Sequence, residues 1–389
     1  MSNYESISQK VGNNGTTQVE VSDTSELREL FNVTPEVVTV MKESKGSADV
    51  GAALTRSAFI EDSNTLLEQT PAKVDISAAP EVVIGNNCQW VIPKDSNQSI
   101  VLKSLILGKG ASIKAEHTTL SLTVENLKYA DNPKTSAVPV GKVDTNVTTT
   151  YHIGIFGSKG NSGNKGQDGA AGAAGDDGNN SECGPGGGTP IGGKTATDGA
   201  KGAKGLDGDN GGNGMDGKPS MPTILTFESI DNSVKNLAVY TTSGAGGDGG
   251  NGGNGGDGGD GGKGGDGSQC GCTGMDAANG GDGGDGGDGG NGGNGGNGAN
   301  GMPITITVPD SFNTNNIQTS SENAPAGKKG SAGKAGNRGK GGARGNQGHK
   351  YSKEGVDGKE GSDGKAGSDG QDGTQAGIPG TIKINTTSF

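Results

Sequence analysis

Glycine recurs at every third residue in six separate runs of this chain, each 19 to 25 residues long. The runs cover residues 154–178, 199–217, 247–265, 280–301, 327–348 and 355–373. A polyproline-II helix has three residues per turn, so a residue type with this spacing lies along one edge of the helix. Glycine on that edge lets two backbones touch, and the amides that the helix leaves unpaired can then bond across the contact. The triplet therefore predicts polyglycine-II helices packed side by side.

Collagen is the alternative, because its triple helix also requires glycine at every third residue. Collagen fills many of its other positions with proline, whereas the six runs contain almost none. The runs are also short and separated by segments of other composition. These two features favour a polyglycine-II bundle within one chain over a collagen trimer.

The segments between the runs alternate in kind, which indicates an internal repeat. After the first, third and fifth runs the sequence is turn-like; after the second, fourth and sixth it alternates apolar and polar residues, as in Ile304, Ile306 and Val308. One unit of roughly 80 residues is thus a run out, a turn, a run back and a strand. The three units span 154–226, 246–308 and 327–389.

Position within the bundle is predicted from the number of glycines per triplet. In the third and fourth runs two of every three residues are glycine, so two edges can pack and these runs belong inside. The other four runs have fewer glycines and belong outside. Residues 327–353 carry eight Lys or Arg and residues 354–372 carry six acids, so the last two runs either pair by charge or present two solvated faces.

The first 153 residues have no triplet. Residues 1–80 predict a head that is helical or partly disordered, with helix starts at Asp23 and Thr34. Residues 81–153 alternate in the strand period, for example at Leu120, Leu122 and Val124. The predicted fold is mostly β and polyproline-II: a β-rich base, with a β-solenoid as one form of it, and a bundle of six glycine helices in three hairpins.

These glycine runs resemble two families. Six glycine-triplet helices joined by short turns are similar to the snow-flea antifreeze proteins. Glycine-rich runs that alternate with variable segments resemble the tail-fibre tip adhesins of T-even-type phages. Both resemblances cover residues 154–373 and imply a rigid bundle, without any catalytic residue to transfer.

Composition narrows the function further. A net charge of −12 argues against a nucleic-acid partner, and no apolar stretch is long enough for membrane insertion. The first ten residues do not predict a conventional signal peptide. Four cysteines without a CxxC pair and three histidines do not predict a zinc site, and no nucleophile arrangement is evident, so we expect no enzyme and no catalytic residue.

Three sets of residues are candidate sites. We expect six aspartates to converge around one turn, where they either hold Ca²⁺ or form a solvated acidic rim: Asp257, Asp260, Asp266, Asp282, Asp285 and Asp288. Cys183 is expected to pair with Cys270 or Cys272, pinning two neighbouring turns; free thiols are the alternative. The third turn carries His349, Lys350 and Tyr351, which are left to contact a partner.

The function expected from these features is surface recognition, as an adhesin or receptor-binding tip. Its partners would be a cell-surface protein or glycan at the turns and an attachment partner bound through the N-terminal region. The location would be a virion or an extracellular surface, with the cytoplasm as the alternative. Ice binding and a structural fibre or coat role are the alternative functions.

Overall fold

The computed structural model describes residues 3–11, 15–21, 72–185 and 191–389. This part of the chain is mostly β, with one α-helix. The helices predicted to begin at Asp23 and Thr34 lie outside the described residues.

The helix and strands are numbered in chain order. They are Asn3–Val11 (α1), Thr16–Val21 (β1), Ala72–Ala79 (β2), Val82–Ile84 (β3), Gln89–Val91 (β4), Asn97–Leu102 (β5), Leu105–Leu107 (β6), Ser112–Glu116 (β7), Thr119–Tyr129 (β8), Lys142–Asp144 (β9), Ile153–Phe156 (β10), Thr223–Ile230 (β11), Leu237–Thr242 (β12), Gln269–Cys270 (β13), Thr273–Gly274 (β14), Ile304–Pro309 (β15), Ile317–Glu322 (β16) and Ile382–Thr387 (β17).

Two sheets form a base, and in both of them most neighbouring strands are parallel. The first sheet has the order β1-β2-β5-β8-β11-β15-β17, with β3 and β6 alongside. The second has the order β16-β12-β10-β7-β4-β9. From β2 to β17 each strand of the first sheet pairs in parallel with the next strand in the order. Successive passes of the chain therefore add a strand to the first sheet and then a strand to the second.

The core of the base lies between these sheets, where strand alternation directs apolar side chains inward. The predicted strand residues Leu120, Leu122 and Val124 are buried there, together with Trp90 and Phe227. At the N-terminal side, β1 pairs antiparallel with β2, and α1 packs beside it. The parallel sheet begins at β2, so the β region starts before the predicted boundary at residue 81.

The glycine runs are long insertions between strands of the two sheets. They lie between β10 and β11, between β12 and β15, and between β16 and β17. Each hairpin thus leaves from the second sheet and returns to the first. Gly154 lies within β10, so the first run starts later than the triplet in the sequence indicates.

Six extended segments follow from these runs, and we call them segments 1 to 6: 157–178, 199–217, 244–267, 280–301, 327–348 and 355–373. Consecutive segments are antiparallel: the Gly212 N–H of segment 2 donates to the Asn164 carbonyl of segment 1 at 2.8 Å, and later donors of segment 2 reach earlier carbonyls of segment 1. Alternate segments are parallel: the Gly163 N–H of segment 1 donates to the Asp248 carbonyl of segment 3, also at 2.8 Å, and later donors of segment 1 reach later carbonyls of segment 3. The result is a slab of two layers, 1-3-5 and 2-4-6.

Segments 3 and 4 occupy the middle of this slab. Segment 3 is bonded to segments 1, 2, 4 and 5, and segment 4 to segments 2, 3, 5 and 6. Segments 1 and 6 form the two ends. The two runs with paired glycines are therefore the interior ones, as the sequence predicts.

The close approach of the backbones explains the glycine at these positions. A Cβ atom added at Gly256 would lie 2.0 Å from the Ala170 carbonyl oxygen, and one at Gly286 would lie 2.2 Å from the Gly336 oxygen. The positive φ values found among the described glycines occur at other positions: Gly110, Gly141, Gly192 and Gly271. Space between backbones, rather than a left-handed conformation, accounts for glycine in the slab.

Candidate functional site

Many glycine triplets of segments 1 to 4 carry Asp or Asn as the third residue, and these side chains accept hydrogen bonds from the backbone of the next parallel segment. Asp168 accepts from the Asn254 N–H at 2.7 Å, and Asn254 in turn accepts from the Lys334 N–H at 3.0 Å. Similar bonds link segments 2, 4 and 6, through Asp207 to Asp288 and Asp288 to Lys365. We call these bonds the Asx ladder. A short side chain with an oxygen acceptor can reach the backbone N–H groups that the hydrogen bonds of the glycines leave unpaired.

The ladder also changes the acidity of its carboxylates. The Asn254 N–H, and after it the Lys165 ammonium, hold the pKa of Asp168 below its ordinary value. The Asp288 N–H and then Lys204 do the same for the pKa of Asp207. Asp168 and Asp207 therefore remain ionised to a lower pH than an ordinary aspartate, and an ionised carboxylate only accepts hydrogen bonds.

The six aspartates proposed for calcium belong to this ladder and are divided between the two layers. Those of segment 3 accept from segment 5, and those of segment 4 accept from segment 6: Asp257 from Asn337, Asp260 from Lys340, Asp266 from Asn346, Asp282 from Lys359, Asp285 from Ser362 and Asp288 from Lys365. Each of the six thus accepts from a backbone amide of a neighbouring segment, and a calcium site at these aspartates stays a prediction. Within the described residues no group of His, Cys, Asp or Glu is arranged to hold a metal ion.

The bonding role of these third positions was not predicted from the sequence. The available signal was the repeated Asp or Asn at the same point of successive runs. The bonded pairs are separated by 77 to 86 residues, close to the length of the sequence repeat.

The three turns between paired segments meet at the end of the slab opposite to the base. Cys183 of the first turn is joined to Cys270 of the second by a disulfide, with 5.7 Å between the Cα atoms. Of the two pairings left open by the sequence, this is the one that the structure shows. Cys272 is an exposed free cysteine, and Cys88 is a buried one in the base. The disulfide therefore pins the first two turns together.

The third turn packs against the second and carries an exposed aromatic ring. The Cβ of His349 lies so close to Gly274 that a side chain there would collide with it. The Tyr351 side chain is 73% exposed, and its ring centroid lies 5.2 Å from that of His349. The Lys350 ammonium lies 4.8 Å from the same Tyr351 centroid. Two rings and a cation are thus grouped on one turn.

Other exposed apolar side chains lie near this end of the slab. Ile191 of the first turn is 83% exposed, and Val356, at the start of segment 6, is 68% exposed. With Tyr351 they form what we call the tip surface.

The opposite charges of the last two segments meet along one edge of the slab. Lys329 pairs with Asp369 at 2.8 Å, Arg338 with Glu360 at 3.0 Å and Arg344 with Glu354 at 3.5 Å. The structure thus favours pairing over two separate solvated faces. All these side chains are about half exposed, so each pair contributes about 0–1 kcal/mol.

Comparison with family models, curated proteins and solved structures finds no match for this chain. Within the ranges that the structure describes, no helix has the length and apolar character needed to cross a bilayer. Function must therefore be argued from the geometry of the tip surface and of the base.

Proposed function

We propose that this protein is a non-enzymatic surface-recognition protein, in which the base is the attached end and the tip surface contacts a cell-surface protein or glycan. The single observation that carries the proposal is the gathering of all three turns at one end of the slab. The turns differ from one another in sequence, whereas the segments below them repeat. Variable loops on a repetitive support are the usual arrangement of recognition sites.

We further infer that the six segments are polyglycine-II helices and that the base is a β-solenoid. The three-residue period of the backbone bonds supports the first inference, and the parallel pairing of successive passes supports the second. At about 3.1 Å per residue, segment 4 would place the tips roughly 70 Å from the base. This length would hold the contact residues away from whatever carries the base.

The chemistry of the tip surface favours a partner that offers both apolar and polar groups. Tyr351 combines a ring with a hydroxyl, and Lys350 adds a positive charge beside it. Aromatic residues of this kind dominate the binding energy in many interfaces. In this proposal the N-terminal region and the base bind the attachment partner, on a virion or an extracellular surface.

The experiment compares binding of the full chain and of two variants to intact cells or to an immobilised glycan panel. Tyr351→Ser should reduce binding at least about tenfold if the ring is a central contact. Leu206→Ser is the matched control, because Leu206 is an exposed apolar residue on the slab at 63% exposure, away from the tips. Equal binding by the two variants would count against recognition through the tips.

Ice binding is a second candidate, favoured by the parallel rows that the Asx ladder holds in register. Small residues in register on a flat layer could order water. Charged residues among them, such as Lys201, Asp282 and Lys359, oppose this function. A thermal-hysteresis measurement separates the two candidates. Clear hysteresis would support ice binding and contradict surface recognition. A structural fibre or coat role would leave both assays negative.

A further inference from the structure

A group of three aromatic rings lies on the outer face of the second sheet, far from the tips. In β10 the side chains of Ile153 and Ile155 are buried in the core, so Phe156 points to the other face. Tyr240 of β12 lies on that face as well, and Tyr151 precedes β10. All three rings are half-buried and so partly open to solvent.

The rings contact one another in a continuous cluster, which we call the aromatic platform. The centroids of Tyr151 and Tyr240 are 5.8 Å apart, with the planes 16° from parallel. Phe156 lies 5.5 Å from Tyr151 and 5.6 Å from Tyr240. These distances are those of favourable aromatic pairs.

Glycine in the strand beneath allows the rings to lie close to the sheet. A Cβ added at Gly154 would be 2.5 Å from ring carbons of both Tyr151 and Phe156. Since Gly154 pairs with Tyr240 on one side and Lys114 on the other, it marks the centre of the platform. The missing side chain leaves the space that the rings fill.

Groups that form hydrogen bonds border the rings. The Tyr240 hydroxyl donates to Glu322 at 2.7 Å, and the Gln89 amide donates to the Tyr151 hydroxyl at 3.3 Å. The Lys114 ammonium lies 5.7 Å from the Phe156 centroid. Donors and acceptors therefore surround the platform at short range.

We propose that the aromatic platform binds a neutral pyranose sugar. One face of a pyranose ring presents C–H groups that pack on aromatic rings, and its edge presents hydroxyls that both donate and accept. The border of the platform supplies both acceptors, at Glu322, and donors, at Lys114.

Two other occupants fit less well. The residues paired beside the rings are polar, such as Ser320 and Thr242, so the apolar surroundings that a protein interface core needs are missing. A nucleic acid would bring phosphates toward Glu322 and Glu116 in a chain of net charge −12. Neutral sugar avoids both difficulties.

The test is calorimetric titration of the full chain with neutral hexose and N-acetylhexosamine oligosaccharides. Tyr240→Ala should weaken binding at least about tenfold, because it removes a ring from the platform. Tyr240→Phe keeps the ring, so it should weaken binding less than about threefold. Phe156→Leu, which keeps apolar bulk but removes a ring, is the second variant if Tyr240→Ala does not fold.

Phe389→Ala is the matched control, because it removes an exposed aromatic ring that follows β17 of the first sheet, away from both the platform and the tip, and should bind these sugars as the wild type does. Emission of the buried Trp90 verifies that each variant retains a folded base. The proposal is overturned if none of these sugars binds at millimolar concentration, or if Tyr240→Ala and Phe156→Leu bind them as tightly as the wild type. Preferential binding of a single-stranded oligonucleotide to the platform would also overturn it.

Discussion

In the base, apolar side chains from two sheets meet in a core that contains the chain's single tryptophan, Trp90. In the slab, segments 3 and 4 have almost no apolar side chains, and backbone bonds of 2.7 to 3.1 Å hold them in place. The base gains stability from apolar area removed from water. The slab instead relies on hydrogen bonds, each worth about 0.5–1.5 kcal/mol net.

This difference shows what a chain without a core requires. Glycine loses more conformational freedom on folding than any other residue, so the slab begins with an entropic cost. Three features offset that cost: the repeated backbone bonds, the Asx ladder, and anchors at both ends. The base anchors one end, and the disulfide between Cys183 and Cys270 anchors the other.

The largest expected effect on stability comes from placing a side chain on the glycine edge of a slab segment, which tests whether the slab depends on backbone contact as the base depends on its core. Gly256→Val should disrupt the slab by more than the roughly 1–3 kcal/mol of ordinary overpacking, because the nearest atoms are backbone and cannot rotate away. Protease resistance of the slab should be lost, whereas Trp90 emission should remain native.

Asn254→Ala is the control for that substitution. It removes one acceptor of the Asx ladder and leaves the glycine edges unchanged, so it should cost about 0.5–1.5 kcal/mol. Equal tolerance of the two changes would contradict a tightly packed glycine edge.

Sedimentation at several concentrations adds a second check, since a concentration-dependent trimer melt would indicate collagen instead.

The complementary substitution destabilises the core of the base and leaves the slab unchanged. Phe227 is fully buried in the core, so Phe227→Ala should destabilise the base by about 3–5 kcal/mol. The transition followed by Trp90 emission should move to lower temperature, and the transition followed by the circular dichroism of the slab should move less. If both signals shifted together, the base and slab would form one cooperative unit.

Much of this architecture could be predicted from local patterns. Ile304, Ile306 and Val308 alternate as a strand and are buried, and the paired glycines of segments 3 and 4 are interior. These features depend on spacing within a few residues. The Asx ladder was missed because it depends on the register between segments about 80 residues apart, which the turns and the base determine together.

The same reason limits the prediction of sites. Cys270 and Cys272 lie two residues apart, and the choice between them depends on how the second turn folds. The aromatic platform was also missed. Tyr240 is distant in sequence from Tyr151 and Phe156, and the parallel pairing of β10 with β12 brings the rings together.

Removing the disulfide should reduce stability less than disrupting the glycine contacts of the slab or the apolar core of the base. The bond closes a loop between residues 87 apart in sequence, and losing a native disulfide commonly costs about 2–5 kcal/mol. Cys183→Ser should therefore raise protease cleavage in the first two turns, with little change in Trp90 emission. Cys272→Ser, at the free cysteine, is the matched control and should resemble the wild type. Cleavage of Cys183→Ser at the wild-type rate would show that the disulfide does not restrain the turns.

The smallest expected effect concerns acid and the junction of base and slab. Burial alone would raise the pKa of Glu116, but hydrogen bonds from Lys94 and Lys114 outweigh it and hold the pKa at about 2. Since the folded pKa is below the ordinary value of 4.5, the stabilisation is present above pH 4.5 and is lost as the pH falls toward 2. Both lysines are partly exposed, so we expect the lost stability of the base to be on the order of 1 kcal/mol.

The denaturation midpoint of the base should decrease when the pH is lowered from 5 to 2.5, and Glu116→Gln should show a smaller decrease. Trp90 emission is the signal to follow, because Trp90 lies in the core of the base and reports the base rather than the slab. An equal fall in both proteins would assign the acid sensitivity to other carboxylates.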